Sequence, residues 1–239
     1  RVAEGDALFG AAARAAPLGG YAEPILTPVV LEGIRRGAYL RWGKRVLDVT
    51  LGTALLLSIL PLFATVAFAV LVTSGWPMFY RSPRLGMDGR VFQMWKFRTM
   101  VRDADAVRAR WRETHPDLAE RMDVHWKIEH DPRITRLGAF LRRTSLDELP
   151  NFINVLRGEM SLVGPRPYLS TEVLDPTLFA AIVAVRPGIT GPFQVRGRNK
   201  LAPGDRMRIE AWYWRDVGLL SDLSYLARTL RPLARMDGH

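Results

Sequence analysis

The sequence contains no cysteine, which excludes disulfides, thiolate nucleophiles and cysteine-built zinc sites and suits a reducing compartment. It has only four histidines, His115, His125, His130 and His239, and none falls in an HExxH or other ligand spacing. A histidine metal centre is therefore not expected. No Walker loop, no GxGxxG fingerprint and no internal repeat occurs. Acidic residues are in deficit: 24 of them against 34 lysines and arginines leave a net charge of +10. That surplus implies an anionic partner, whether nucleic acid, a phosphate-rich substrate or an anionic lipid surface. At 239 residues there is room for one domain with a proper core plus extensions.

Charge is also missing locally. Val49 to Val72, "VTLGTALLLSILPLFATVAFAVLV", is 24 residues without a single charge. As a helix it would run about 36 Å, enough to cross a hydrocarbon core of about 30 Å. A buried core helix is the alternative, but core helices are rarely apolar all round for so long. Both flanks are basic. Arg35, Arg36, Arg41, Lys44 and Arg45 precede the run; Arg81, Arg84, Arg90, Lys96 and Arg98 follow it, opposed only by Asp88. Basic flanks favour the cytoplasmic side, and a simple crossing helix satisfies only one of them. Pro61 sits at the midpoint, where it removes a backbone hydrogen bond and favours a kink. The expectation is a re-entrant membrane helix over residues 41–76 with both ends on the cytoplasmic face.

Residues 1–34 are rich in Ala, Gly and Pro and show no sustained period, so residues 1–40 are expected to be a loosely ordered N-terminal extension. The first residue is Arg1 rather than Met, which points to a trimmed chain or a fragment. The first apolar run starts too far in for a signal peptide. Near the other end, Leu223, Leu226, Leu230 and Leu233 recur at helical spacing with Arg228, Arg231 and Arg235 opposite them. Such a basic amphipathic helix suits a membrane interface; packing the leucines on the domain is an equal alternative.

Between these lies a soluble-looking domain, residues 77–239, with a mainly helical α+β pattern. "RLGMDGRVFQMWKFRTM" has a turn signal at Asp88-Gly89 and alternating faces, which predicts a short β-hairpin. Residues 101–125 are charged and helix-prone, with a break at Pro116. "DPRITRLG" enters a short helix reaching Arg143, and Phe152, Ile153, Val155 and Leu156 lie on a helix ended near Gly158. "RPGITGPFQVRGRN" is punctuated by Gly and Pro, and it reads as a shaped loop rather than a core element.

The most informative stretch is "LRRTSLDELPNF", Leu141 to Phe152. Ser145-x-x-Glu148 has the spacing of a capping box. A helix starting there would carry Pro150 in its interior, so a start at Asp147 fits better, with Pro150 in the first turn. Either way two carboxylates would sit at a helix N-terminus, which favours their ionised forms. That is what a carboxylate nucleophile or a Mg²⁺ ligand requires. On spacing alone, capping and catalysis both remain open. Arginine-bearing loops surround the pair in sequence: "KFRTM", "DPRITR", "LRRTS" with Arg142 and Arg143, "GPRP" and "RGRN". In "GPRP", Pro165 and Pro167 stiffen the chain on both sides of Arg166 and present its guanidinium for a bidentate phosphate contact. A surface arginine in a rigid turn is the plainer reading of that motif alone.

Taken together, "KRVLDV…SILPLF…RLGMDGRVFQMWKFRTM", "DPRITRLGAFLRRTSLDELPNFINVLRGEMSLVGPRP" and "VRPGITGPFQVRGRN" resemble the bacterial sugar transferase domain of monotopic phosphoglycosyl transferases. The likeness runs from about Lys44 to Thr229 and is closest to the branch of undecaprenyl-phosphate galactose phosphotransferases. It implies transfer of a phospho-sugar from a UDP-sugar to undecaprenyl phosphate, with release of UMP, at the cytoplasmic face of a bacterial inner membrane. On the matching positions, Asp147 would be the nucleophile and Glu148 its partner, placing Mg²⁺ or deprotonating the lipid phosphate. Arg166 would hold the nucleotide end, with Arg198 a second anchor. Lys96, Arg98, Arg142, Arg143 and Pro165 complete the expected substrate-binding set. The family's membrane helix breaks at an adjacent Ser-Pro pair; here Leu60 precedes Pro61 and the nearest serine is Ser58. Larger members carry further N-terminal membrane helices. On this reading no nucleic-acid partner is expected, the sugar is a hexose such as galactose or glucose with a hexosamine still open, and the oligomeric state is open, a homodimer included. The rival is a membrane-tethered module that binds nucleic acid or anionic lipid through its charge and would tolerate loss of Asp147. A structural assembly factor with a decayed site is disfavoured by the intact dyad and arginine motifs.

Overall fold

The computed structural model describes residues 37–114, 131–173, 175–195 and 203–234. The expected extension, the end of the charged region beyond Thr114 and the candidate anchor Arg198 lie outside the described residues. The chain separates into two compact units. One comprises Arg1–Leu57, Ser82–Met94 and Asn151–Pro232, the other Ser58–Arg81, Trp95–Pro150 and Leu233–His239.

The apolar run forms α1, Lys44–Ser74, preceded by a wide helical turn at Tyr39–Gly43. Pro61 lies inside this one uninterrupted helix, and Thr65 Oγ1 donates to the Pro61 carbonyl at 2.9 Å. Tyr39–Ser74 is long and apolar enough to cross a membrane, and only 11% of its most apolar stretch is buried. A core helix would bury most of that surface, so the composition matches a lipid-facing helix. A hairpin follows, β1 Phe79–Leu85 and β2 Val91–Phe97. Asp88 and Gly89 both take positive φ, 60° and 70°, in the 3₁₀ turn Met87–Gly89 that joins the strands, so the turn falls where the sequence signals it. Phe92 and Met94 are buried while Val91 and Gln93 are exposed, so the alternation holds as far as Met94; Phe97, on the face of Val91 and Gln93, is buried. α2, Ala104–Thr114, buries no residue and is the solvated charged helix its sequence predicts.

In the first unit, β3 (Ser161–Val163) pairs in parallel with β4 (Gly188–Thr190), Ser161 opposite Gly188 and Val163 opposite Thr190. A parallel pair needs a crossover, and residues 164–187 supply it, including a 3₁₀ turn at Ser170–Glu172 and α5, Pro176–Ile182. This corrects in part the reading of "RPGITGPFQVRGRN" as a loop: Gly188–Thr190 within it is a short strand and Pro192–Val195 a helical turn. A Cβ at Gly188 would overlap the Gly164 backbone, so the punctuation marks close strand packing rather than a turn. Around the pair pack Phe92, Met94, Val155, Met160, Leu162, Val185, Tyr213 and Tyr225. The helices that close the unit are α4 (Asn151–Arg157), α6 (Pro192–Val195), α7 (Pro203–Ala211), α8 (Tyr213–Asp216) and α9 (Leu219–Ala234).

Of the expected leucine stripe of α9, Leu226 packs on the core and Leu223 is exposed, while the side chains of Leu230, Arg231, Leu233 and Arg235 lie outside the described residues. Asp222 and Tyr225 are buried and Leu226 packs on the core, whereas Leu219, Leu220 and Leu223 are exposed. Asp222 accepts hydrogen bonds from Tyr39, Lys44 and Tyr213, and the Thr229 hydroxyl meets that of Thr190 at 2.6 Å.

In the second unit, Phe63, Val66, Ala67 and Val70, one face of α1 at helical spacing, pack with Phe97 and Leu141. Phe63, Phe79 and Phe97 form an aromatic cluster, with ring centroids 5.0 to 6.2 Å apart. α3, Arg136–Thr144, closes this core through Leu137 and Leu141.

Candidate active site

α3 is fixed at its start by Thr135, whose Oγ1 accepts from Gly138 N–H at 2.9 Å, the cap such a residue supplies. Thr135 N–H donates to the Thr99 carbonyl at 3.0 Å. A Cβ on Gly138 would overlap that carbonyl, so glycine lets α3 lie directly against the chain leaving β2. The helix ends at Ser145, which takes the left-handed conformation (φ 58°, ψ 17°) and donates its N–H to the Arg142 carbonyl at 3.2 Å. Glycine is the usual residue there.

Both local readings of the acidic pair are corrected by this geometry. Ser145 makes no side-chain cap bond, and Asp147 caps no helix; it lies within a 3₁₀ turn, Leu146–Glu148. Pro150, which lacks an N–H, directly precedes α4 instead of sitting in its first turn. The turn aims both carboxylates toward β2. Lys96 Nζ is 2.7 Å from Glu148 Oε1 and 3.9 Å from Asp147 Oδ2. Asp147 is buried, whereas Lys96 and Glu148 are each about a quarter exposed. Arg142 donates its Nε to the Thr99 hydroxyl at 2.9 Å, and the Asp147 and Asp131 carboxylates sustain its charge against burial. Burial pushes the Asp147 carboxyl group up to about 6; Glu148 adds to this, and Lys96 and Arg142 pull against it. Desolvation outweighs the cations, so the expectation that local fields alone favour the ionised form is also revised.

Asp131 was not singled out as a site residue. It accepts from Arg133 Nη2 at 2.7 Å, Nε at 2.9 Å and backbone N–H at 2.9 Å. Burial works to raise its carboxyl group, but these bonds and the charges of Arg133 and Arg142 hold it below the usual range. The signal was in the sequence: aspartate two residues before arginine in a Pro-containing turn bonds its own following backbone. Thr99, the partner of Arg142, carried no signal beyond its place in "KFRTM".

The remaining predicted residues are placed as follows. Arg98 is buried, with Nη2 on the carbonyls of Ser74 and, at 2.7 Å, Gly75; it caps the end of α1. Arg143 is exposed on α3. Pro165 and Arg166 belong to the first unit, where the loop is pinned by Gly164 N–H to the Thr190 carbonyl at 2.9 Å and Gly188 N–H to the Pro165 carbonyl at 2.8 Å. Arg166 N–H donates to Glu210 Oε2 at 3.1 Å and its Nη1 to Glu172 Oε1 at 3.3 Å. The second unit thus gathers Lys96, Arg142, Asp147 and Glu148 in one cluster.

A buried carboxylate flanked by a second carboxylate, an ammonium and a guanidinium is suited to receiving a phosphorus centre whose oxygens need neutralising. The model of the bacterial sugar transferase family matches residues 39–236. The chain belongs to that family. It is 38% identical over 202 residues to the UDP-galactose-lipid carrier transferase of Erwinia amylovora, covering 83% of this chain and 42% of that protein. It is 37% identical over 196 residues to the exopolysaccharide production protein ExoY of Sinorhizobium fredii, covering 82% and 87%. Against the UDP-glucose:undecaprenyl-phosphate glucose-1-phosphate transferase of Escherichia coli it is 41% identical over 162 residues, covering 64% and 31%. The chain therefore spans about two fifths of the Erwinia relative and most of the Sinorhizobium one.

Proposed function

We propose that this bacterial sugar transferase moves a hexose 1-phosphate from a UDP-sugar, galactose or glucose, to undecaprenyl phosphate, an early membrane step of exopolysaccharide, O-antigen or capsule assembly. The observation that carries it is the buried Asp147 beside Glu148, Lys96 and Arg142. The names of the relatives supply the substrate classes. The Asp147 carboxylate attacks the sugar-bearing phosphorus and the bond to the UMP oxygen breaks, leaving an aspartyl phospho-sugar and free UMP. An oxygen of the lipid phosphate then attacks the same phosphorus, Asp147 leaves as carboxylate, and Glu148 takes the proton when the lipid phosphate is a monoanion. Lys96 and Arg142 neutralise the phosphate oxygens throughout.

Among the described residues no group of three or more His, Asp or Glu gathers. The Asp147–Glu148 pair nonetheless fits Mg²⁺, which is commonly held by one or two carboxylates with substrate phosphates and waters. When bound, the ion would supply charge neutralisation at the phosphates. Lys96, now on Glu148, is the group that would yield to it. UMP release across UDP-sugars, with undecaprenyl phosphate and Mg²⁺, tests this function; no UMP from any of them would refute it.

α1 would seat the domain on the cytoplasmic face of the inner membrane as a re-entrant helix bent near Pro61, with exposed Leu219, Leu220 and Leu223 of α9 at the interface. Single cysteines at Arg41 and Arg84 should both be modified only from the cytoplasmic side. Labelling of either from outside contradicts the re-entrant path.

Lys96→Met should move the acid limb of the kcat/KM profile to higher pH by about one unit, the scale of losing an opposite charge at this range. The sign follows from Asp147: attack needs its ionised form, present above its pKa, and Lys96 lowers that pKa. Equal loss at every pH would reduce Lys96 to a phosphate contact.

A further inference from the structure

Within the second unit, Arg142 shares the cluster of Asp147, Glu148 and Lys96 with one more side chain, Thr99. Thr99 is buried, and its hydroxyl accepts from Arg142 Nε at 2.9 Å. Both partners of this bond are fixed. The Thr99 carbonyl accepts from Thr135 N–H at 3.0 Å, and Val101 N–H donates to the Arg133 carbonyl at 2.9 Å; between them Met100 forms an antiparallel bridge with Ile134. Arg142 rides on α3, which starts at that same Thr135 cap and lies so close to Thr99 that a Cβ on Gly138 would overlap its carbonyl. Threonine is stiff at χ1, so with both backbones held the hydroxyl meets the guanidinium in one orientation.

The bond leaves one edge of the guanidinium over. Such a group meets a phosphate either side-on, through Nε and one Nη, or end-on, through its two Nη groups. Thr99 occupies Nε, while Arg142 Nη1 and Nη2 make no hydrogen bond among the described residues. Arg98 in the same unit shows the opposite pattern: it spends Nη2 on the carbonyls of Ser74 and Gly75, as an arginine that closes a helix end does. Burial works against the charge of Arg142, and Asp147 and then Asp131 sustain it, so the guanidinium lies within electrostatic reach of the proposed nucleophile.

We propose that Thr99 is a positioning residue for the transfer: by holding Nε of Arg142 it presents the Nη1–Nη2 edge, end-on, to the oxygens of the phosphorus that Asp147 attacks. This deepens the transferase reading above and rests on it. Thr99 touches no substrate; it acts through Arg142 alone. Misplacing a charged donor by about 1 Å costs on the order of 10²-fold in rate. Charge neutralisation that strengthens in the transition state is felt in kcat rather than in KM.

The experiment measures UMP release by the full chain in lipid nanodiscs for wild type, Thr99→Val, Thr99→Ser, Arg142→Met and Thr99→Val combined with Arg142→Met. Alongside it, NMR of protein with nitrogen-labelled arginine follows exchange of the Arg142 Nε–H with water, the signal being identified by its loss in Arg142→Met. Valine keeps the shape of threonine without the acceptor, so Thr99→Val should lower kcat about 10- to 100-fold and leave the KM for the UDP-sugar within about threefold. Serine restores the hydroxyl and should recover most of the loss. Arg142→Met leaves no guanidinium to orient, so adding Thr99→Val to it should cost under about threefold more. A hydroxyl that served only the fold would cost the same factor in both backgrounds, and that additivity overturns the proposal. Unchanged kcat in Thr99→Val overturns it too, as does serine behaving like valine. The Nε–H should exchange slowly in wild type and fast in Thr99→Val; equal exchange in the two shows that Thr99 does not hold Arg142. If wild type releases no UMP from any UDP-sugar, the proposed activity fails while the exchange rates still decide the Thr99–Arg142 pairing. If Thr99→Val does not fold, Thr99→Ala enters the same cycle, and full additivity with Arg142→Met overturns the proposal.

Discussion

Replacing Asp147 with asparagine is expected to lower UMP release by about 10⁴-fold or more, the scale of losing a covalent catalyst that acts with its neighbours as a unit. Asparagine is nearly isosteric and still accepts hydrogen bonds, but it cannot form the acyl phosphate. Stability should move the other way. The folded chain titrates Asp147 near 6 against an ordinary 3.8. Between those values the unfolded chain has released a proton that the folded chain still holds, so stability from this group falls as pH rises, and the full penalty remains above 6. Asparagine removes that penalty. The variant should therefore melt at the same temperature as wild type or higher at neutral pH while losing turnover. A folded Asp147→Asn that kept activity within about tenfold of wild type would exclude a covalent role, since a nucleophile cannot be spared so cheaply. An inactive variant that had also unfolded would contradict the buried-charge argument instead.

Local signals in the sequence served the fold well where the structure is local. The Asp88-Gly89 turn, the hairpin, the stop at Gly158 and the long apolar helix all form as their residues predict. They failed where distant partners decide. "TSLDELP" reads as a helix start because Ser-x-x-Glu has that spacing, yet it is a helix end, a left-handed serine and a short 3₁₀ turn. The reason is Lys96, 52 residues away, which takes the Glu148 carboxylate that a capping box would need. β4 was hidden because a strand buried against Gly164 must be small and glycine-rich, and so it resembles a loop. The basic flanks of α1 were read as marking the cytoplasmic side, and several of them also make structural contacts. Arg45 donates to the Val155 and Leu156 carbonyls at 2.6 and 2.7 Å, Arg98 and Arg102 cap the far end of the helix, and Arg81 stacks on Trp95 at 4.1 Å. Charge counting cannot separate a cation that meets lipid from one that terminates a helix. The catalytic pair was legible only as two adjacent carboxylates among arginines; its burial, and therefore its raised pKa, was not.

The second large effect concerns how α1 is tied to the first unit. Lys44 was counted as a flanking charge, but it is almost fully buried and its Nζ lies 2.6 Å from Asp222 Oδ2, itself fully buried. Tyr213 and Tyr39 donate their hydroxyls to the same carboxylate, each at 2.6 Å, and Lys44 also reaches the Tyr213 oxygen at 2.9 Å. Tyr213 lies within 3.3 Å of the Val163 carbonyl on β3. One ion pair thus joins the first turn of α1, the first turn of α9 and the edge of the parallel sheet. Removing a single partner strands the other as a buried charge, and Lys44→Met should cost about 3–5 kcal/mol. Asp222→Leu should cost a comparable amount, because the ammonium then loses its hydrogen-bonded counterion. The pair itself need not be worth that much: desolvation offsets most of its Coulomb gain, so Lys44→Met with Asp222→Leu should recover a large part of the loss. Denaturant unfolding of the four proteins in the same lipid or detergent measures the cycle. If the double variant is as unstable as the sum of the singles, the tyrosine hydroxyls left without an acceptor carry the cost. If Lys44→Met alone costs under about 1 kcal/mol, the pair is no more than a surface ion pair in effect, and the anchoring of α1 lies in the apolar contacts of Leu51 and Gly52 with the core instead.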